Sequence, residues 1–377
     1  MKRLSAFIYL TVCGLSLAAQ ISLRVEMAEY PTAGPNDRFF LAGNFNNWNP
    51  ADTQYQFKPT ASGRYACTMR LPAGTYAFKC TRGDWSAVEV NGDGSDTDNR
   101  ELVLDKDSSL SINIAAWKDQ VKASARRSTR SPQVRMDTVV RMRGLNRMRH
   151  ISIYLPADYY SSGLRYPVLY IQDGQNVFDD STAFAGEWGV DEHLDSARHT
   201  QCIVVAIDNG GNRRFNEYSP WLFRLDDGST GTGEGNLYAD FIAKQLKPLI
   251  DRRFRTRKEK ASTFIAGSSM GGLISLYAVL KYPTVFGTAG VFSPSVWIAK
   301  KSLLRLLRDT KKPWSNRIWF YAGKQESQEM VPDMLAVFNL LAKKNKAAMS
   351  VVIRDAGMHN EKSWRKEVPG FFNWLLQ

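Results

Sequence analysis

Residues 261–283 constrain the fold more than any other stretch of this chain. Residues 261–266 are a short apolar run of strand type, and Gly267-Ser268-Ser269-Met270-Gly271-Gly272 follows as a turn of the form Gly-x-Ser-x-Gly centred on Ser269. Residues 273–280 are then an apolar helical run without Gly or Pro, ending before Tyr282-Pro283. Strand, sharp turn and helix place a serine at the tip of a nucleophile elbow. The backbone at such a tip is strained, and glycines two positions either side tolerate the close approach. The helix N-terminus behind the serine points N–H groups at any anion formed there. A glycine-rich turn can also serve packing alone, so the catalytic reading needs partners elsewhere.

At 377 residues, with 44% hydrophobic residues and 10 Trp, there is room for two domains with real cores. The N-terminus reads Met1-Lys2-Arg3, an apolar run over 4–17, then Ala18-Ala19-Gln20. That is a charged region, an apolar stretch short for a membrane span, and small residues for cleavage. The reading is a signal peptide over 1–19 and an exported protein, periplasmic or secreted. Lipoprotein anchoring through Cys13 competes, but Val12 is bulky where a small residue should precede the cysteine.

Residues 21–114 predict an all-β immunoglobulin-like sandwich, from short β-prone runs at 39–42, 65–71, 76–81 and 110–114 separated by Gly, Pro and Asn/Asp turns. Cys67 and Cys80 flank the turn at 72–75 symmetrically, so a hairpin would place them opposite each other, either as a disulfide or as two small apolar residues. Cys202 reads as inert core. The oxygen-rich stretch 91–99 lacks the Gly and Glu positions of a helix-flanked calcium loop and reads as a polar surface loop. Residues 115–135 are small and basic, a linker. Net charge is +13, and residues 118–149 hold ten Lys and Arg against two Asp. With no nucleic-acid motif present, this reads as a solvated linker and the outer face of a hairpin.

From 136 onward, a hairpin (138–142, 150–155) precedes alternating strands and helices. Strands are expected at 167–172, 202–207, 261–266, 285–292, 318–321 and 350–354, and helices at 187–198, 238–254, 273–280, 300–308, 332–344 and 364–376. This predicts an α/β fold, an α/β-hydrolase with a mostly parallel sheet covered on both faces, with ligands at the C-terminal strand ends. In that fold the nucleophile is followed by the acid and then the histidine. Only His359 of the four histidines follows Ser269, in a loop just past the last strand. The acid should follow the strand 318–321, which selects Glu326, with Glu329 and Asp333 as fallbacks and Asp355 too near His359 in sequence to orient it. Oxyanion donors should be the backbone amides of Met270 and of Gln175, with Gly174 permitting tight approach. Trp188, Tyr218, Trp221 and Trp297 lie in expected rim segments and suit either a pocket or packing.

Two resemblances add to this. "GNFNNWNP" at 43–50 followed by "LPAGTYAFKCTRGDW" at 71–85 resembles the starch- and glycogen-binding β-sandwiches of carbohydrate-binding families 20 and 48; it implies that Trp48 and Trp85 stack on sugar rings. The stretches "YPVLYIQDGQNVFDD", "NEYSPW", "GSSMGGLISLYAVLKYP", "GVFSPSVW" and "GMHNEKSWRKEVPGFFNWL" resemble the esterase family that includes esterase D, enterochelin esterases, carbohydrate esterase family 1 and mycolyltransferases. It implies a serine carboxylic-ester hydrolase using Ser269, Glu326 and His359, with no metal or organic cofactor. The expectation is a carbohydrate esterase of acetyl or feruloyl type, acting on a small-molecule or polysaccharide ester, with no nucleic acid partner and no transmembrane span. A siderophore esterase and an inactive glycan-binding surface protein are the alternatives.

Overall fold

The computed structural model describes residues 20–31, 34, 37–121, 127–197, 201–225, 228–311, 313–344 and 346–377. The expected signal peptide and Cys13 lie outside the described residues, as does Arg198 at the end of one expected helix. The chain divides into two compact units, Met1–Val121 and Lys122–Gln377.

The first unit is β-rich. Lys58–Pro59, Tyr65–Pro72, Gln20–Glu29 and Ser108–Asn113 form one sheet in that order, and Phe40–Gly43, Gly74–Thr81 and Arg100–Leu104 form another. Their inward residues, Leu23, Val25, Met27, Leu41, Cys67, Phe78 and Cys80 among them, make one core with Phe57 and Trp117. The hairpin expected around 72–75 does not form. Tyr65–Pro72 pairs with Gln20–Glu29, while Gly74–Thr81 pairs with Phe40–Gly43 and Arg100–Leu104, so the chain changes sheets at this corner. Cys67 and Cys80 are therefore not ladder neighbours; both are free and buried, and burial pushes the Cys67 thiol up to about 12. They act as small apolar core residues. In the loop 91–99, Asn91, Asp93 and Ser95 satisfy one another and their own backbone in a tight turn. Ala116–Trp117 pairs with Glu89–Val90, which ties the start of the expected linker to this unit.

The second unit holds an eight-stranded sheet. In chain order its strands are β1 (Val134–Met142), β2 (Arg147–Tyr154), β3 (Val168–Gln172), β4 (Ile203–Ile207), β5 (Thr263–Ser268), β6 (Thr288–Phe292), β7 (Arg317–Gly323) and β8 (Met349–Arg354). In space they run β1-β2-β4-β3-β5-β6-β7-β8. The β1–β2 hairpin is antiparallel and β2 meets β4 antiparallel; from β4 onward every pair is parallel. This is the α/β-hydrolase arrangement. The alternation along β3 explains why these strands read as continuous apolar runs: Val168 and Tyr170 enter one core, Leu169 and Ile171 the other.

The helices that matter for the site are α1 (Val190–Ser196), α2 (Met270–Lys281), α3 (Glu361–Arg365) and α4 (Val368–Leu375). The helix expected at 364–376 is thus two, broken where Pro369 lacks an N–H and crowds the carbonyl four residues back. The same effect marks the expected helix 238–254. Residues 235–253 are helical throughout, but Ile242–Leu246 is a π-turn just before Pro248.

Candidate active site

The elbow is built from backbone first. Ser269 sits between β5 and α2 with φ 56° and ψ −123°, a conformation costing on the order of 1–3 kcal/mol. It is held by its own N–H, which donates to the Phe292 carbonyl at 2.9 Å, and by its carbonyl, which accepts from Leu273. Two of the glycines around it are sterically required. A Cβ on Gly267 would lie 2.8 Å from the Gly271 backbone, and one on Gly272 would lie 2.8 Å from the Phe292 oxygen.

Beside the elbow, the loops after β7 and β8 bring two expected residues together. His359 Nδ1 lies 2.8 Å from Glu326 Oε2, and Glu326 is 1% exposed. The other Glu326 oxygen accepts from the Gly323 amide at 2.6 Å and the Ser293 hydroxyl at 2.7 Å. With a carboxylate on Nδ1, the imidazole carries its proton there and leaves Nε2 as acceptor. Of the two fallback acids, Asp333 pairs with Lys300 and Glu329 is exposed; Asp355, set aside for its nearness to His359, is exposed and pairs with Lys324. The Ser269 hydroxyl itself contacts Ser295 Oγ at 3.1 Å, and among the described residues this is its hydrogen-bond partner. Catalytic hydrogen bonds commonly tighten only when substrate arrives.

Met270 opens α2, a position whose N–H has no acceptor within the helix. Gln175 lies in a single 3-10 turn, Gly174–Asn176, entered through Asp173 in the left-handed region at φ 55°. Arg214 grips both Asp173 oxygens at 2.7 and 2.9 Å, Asn209 adds a third bond at 2.8 Å, and the Asp173 N–H donates to Tyr218 Oη at 3.2 Å. Thr182 donates to the Gln175 carbonyl at 2.8 Å, and the Asn209 N–H to the Gln175 side chain at 3.2 Å. Gly174 is sterically required by β4: its Cβ would meet the Ala206 and Ile207 backbone at 2.7 Å. Asn176 Nδ2 donates to Glu361 Oε1 at 3.0 Å, tying this loop to α3; burial first, then the Asp173 carboxylate, pushes the Glu361 carboxyl up to about 7.

Sequence reasoning missed Asp173, Arg214, Ser293, Ser295, Trp364 and Glu361. Ser293 and Ser295 lie in the stretch GVFSPSVW, and their place directly after an apolar strand was the available signal. Two expected rim aromatics are interior. Tyr218 is fully buried, and Trp188 packs edge-on against Phe292 at 4.9 Å and beside Trp364 at 5.9 Å. Trp221 is half-buried against Tyr277, and Trp297 is 50% exposed. In the first unit Trp48, with φ 58°, and Trp85 are both half-buried, their rings 6.3 Å apart and inclined at 39°.

Among the described residues one carboxylate group could hold a metal: Glu187, Asp191 and Glu192. Arg365 already lies 3.4 Å from Glu187 and 3.7 Å from Glu192, so a cation is present without an ion.

A family model described as "Putative esterase" matches residues 143–375, and one described as "Pullulanase X25 domain" matches residues 40–119. An uncharacterized protein of Bacillus subtilis, YbbA, is 29% identical over 240 residues, 60% of this chain and 92% of that protein. An endo-1,4-beta-xylanase/feruloyl esterase of Xylanibacter ruminicola is 26% identical over 160 residues, covering 41% of this chain and 21% of that protein. Among solved structures, enterochelin esterase from Shigella flexneri aligns with a TM-score of 0.56 at 17% identity, over 90% of this chain and 88% of that one.

Proposed function

The chain belongs to the "Putative esterase" family and is a carboxylic-ester hydrolase, and we propose that it is an exported carbohydrate esterase working through Ser269, His359 and Glu326. The observation that carries this is the Glu326–His359 contact of 2.8 Å beside a serine held at a strained strand-to-helix tip. No helix among the described residues is long and apolar enough to cross a membrane.

The reaction runs as follows. His359 Nε2 takes the Ser269 proton as Oγ attacks the ester carbonyl, and Glu326 stabilises the imidazolium through Nδ1–H. The tetrahedral oxyanion is held by the amides of Met270 and Gln175, where preorganised donors cost no reorganisation during reaction. The imidazolium returns the proton to the departing alcohol oxygen, leaving an acyl-serine. Water, deprotonated by His359, then attacks this ester, and the acid departs as Ser269 regains its proton. The Ser269 hydroxyl turns from Ser295 to His359 at the start of this cycle.

The first unit supports a polysaccharide substrate. The pullulanase-type model matches residues 40–119 of it, and the Trp48–Trp85 pair offers adjacent indole faces to the apolar faces of pyranose rings. Holding a polymer near the site raises effective concentration without altering the chemistry. The test is hydrolysis of p-nitrophenyl acetate, methyl ferulate, acetylated xylan and a catecholate trilactone by wild type and Ser269→Ala. Ser269-dependent turnover of a sugar ester supports the reading. Turnover confined to the trilactone moves the assignment to a siderophore esterase, and no Ser269-dependent turnover removes it.

A further inference from the structure

Behind the Glu326–His359 pair runs a chain of contacts that the steps above do not use. Ser293 follows β6 directly, is fully buried, and holds a φ of 43° immediately before Pro294. A residue before proline is steered to extended backbone, and a left-handed conformation on a non-glycine residue persists only where its surroundings enforce it. Three bonds do so here. The Ser293 N–H donates to the Tyr321 carbonyl on β7 at 2.7 Å. Its Oγ accepts from the Trp364 indole N–H at 2.9 Å, which leaves the hydroxyl proton to donate to Glu326 Oε1 at 2.7 Å. Trp364, on α3, also meets the His359 ring edge-on, with centroids 5.1 Å apart and planes at 82°. The contacts therefore close on themselves, from Trp364 through Ser293, Glu326 and His359 back to Trp364.

We propose that Ser293 and Trp364 are positioning residues for the general base. The inference rests on the reading of Ser269, His359 and Glu326 as the catalytic groups. Two donors, from Ser293 and Gly323, converge on one Glu326 oxygen and so fix the rotamer that turns the other oxygen to His359. The indole directs the Ser293 proton and limits the tilt of the imidazole. Without the Ser293 hydroxyl, Glu326 Oε1 loses the side-chain donor that works beside the Gly323 amide, the carboxylate is held less firmly, and the imidazole spends less time aimed at Ser269. The penalty falls on turnover, because neither residue belongs to the binding surface for substrate.

The experiment is a double-mutant cycle on p-nitrophenyl acetate with full-length protein. Ser293→Ala should lower kcat about tenfold while KM stays within about twofold. In a Glu326→Ala background the same substitution should change kcat by less than about twofold, because the group it positions is gone. Trp364→Phe keeps the ring against His359 but removes its donor; it should cost a smaller factor in kcat that vanishes in the Glu326→Ala background. This variant carries the test if Ser293→Ala does not fold. An unchanged kcat in Ser293→Ala, or a loss of the same size with and without Glu326, overturns the proposal. Ser269→Ala runs alongside: full activity in that variant removes the catalytic reading itself, a result distinct from a failed cycle.

Discussion

The two compact units keep their polar chemistry in opposite places. In the first, Thr81 and Glu89 are the buried polar side chains among the described residues, Glu89 is neutralised by Arg100 at 2.7 Å, and the candidate functional groups are two half-exposed indoles. In the second, Gln172, Asp173, Glu326, Glu361 and Ser293 are all buried around the C-terminal ends of β3, β6 and β7, and each is hydrogen-bonded to a distant segment, through Tyr238, Arg214, Ser293, Asn176 and Trp364 respectively. Buried ionisable groups are expensive unless paired, so a cluster of them marks a site where stability yields to chemistry. A surface of flat rings needs no such concession. The first unit can lose its candidate groups without losing its fold, whereas in the second the candidate groups belong to the contacts that hold the fold.

The sharpest way to break that contrast is to cross the two functions. Ser269→Ala should reduce ester turnover by about 10⁴-fold or more while leaving retention on immobilised starch unchanged. Next in size is Gly174→Ala. Its Cβ would press into the β4 backbone at 2.7 Å, and the strain, on the order of 1–3 kcal/mol, should lower the urea midpoint and displace Gln175, so that kcat falls as well. A loss of stability with kcat intact would separate fold from function in this unit and weaken the contrast. Trp48→Ala with Trp85→Ala should weaken retention on starch by about tenfold, on the order of 1–1.5 kcal/mol, with kcat on p-nitrophenyl acetate unchanged. Retention that survives both substitutions would place any sugar contact elsewhere.

The smallest expected effect is a pH slope in stability. Burial first, then neighbouring Glu192, pushes Glu187 up to about 7; burial likewise pushes Asp191 up to about 8. In the unfolded chain such carboxyls titrate near about 4. The folded state therefore binds more protons between these values, and stability from these groups is full below about pH 4 and drains as pH rises through about 7 to 8. The melting temperature should fall by a few degrees from pH 6 to pH 8.5, and Glu187→Gln with Asp191→Asn should flatten that slope. Among the described residues the first unit has no comparable pair, so a slope unaffected by these substitutions would contradict the assignment.

What the sequence made legible divides along physical lines. The α/β-hydrolase fold could be read because parallel strands buried on both faces leave continuous apolar runs, as in Val168–Gln172, and because the elbow is local in sequence. Glu326 and His359 could be chosen because each follows a strand in a set chain order. The support around them could not: Ser293 meets Glu326 33 residues away and Trp364 71 residues away, partnerships that exist only once strand ends converge. Cys67 and Cys80 were misleading because a turn between two β-prone runs looks the same whether the runs pair or part into different sheets. Trp188 and Tyr218 show the same limit for aromatics, whose residue type does not separate a rim from a core.

The central claim is that Ser269 is the nucleophile, with Ser295 only 3.1 Å from it in the resting site. Labelling wild type, Ser269→Ala and Ser295→Ala with a fluorophosphonate, followed by peptide mass spectrometry, tests this directly. The account predicts one adduct, on Ser269, present in wild type and Ser295→Ala and absent from Ser269→Ala. An adduct on Ser295, or labelling that persists in Ser269→Ala, would contradict it.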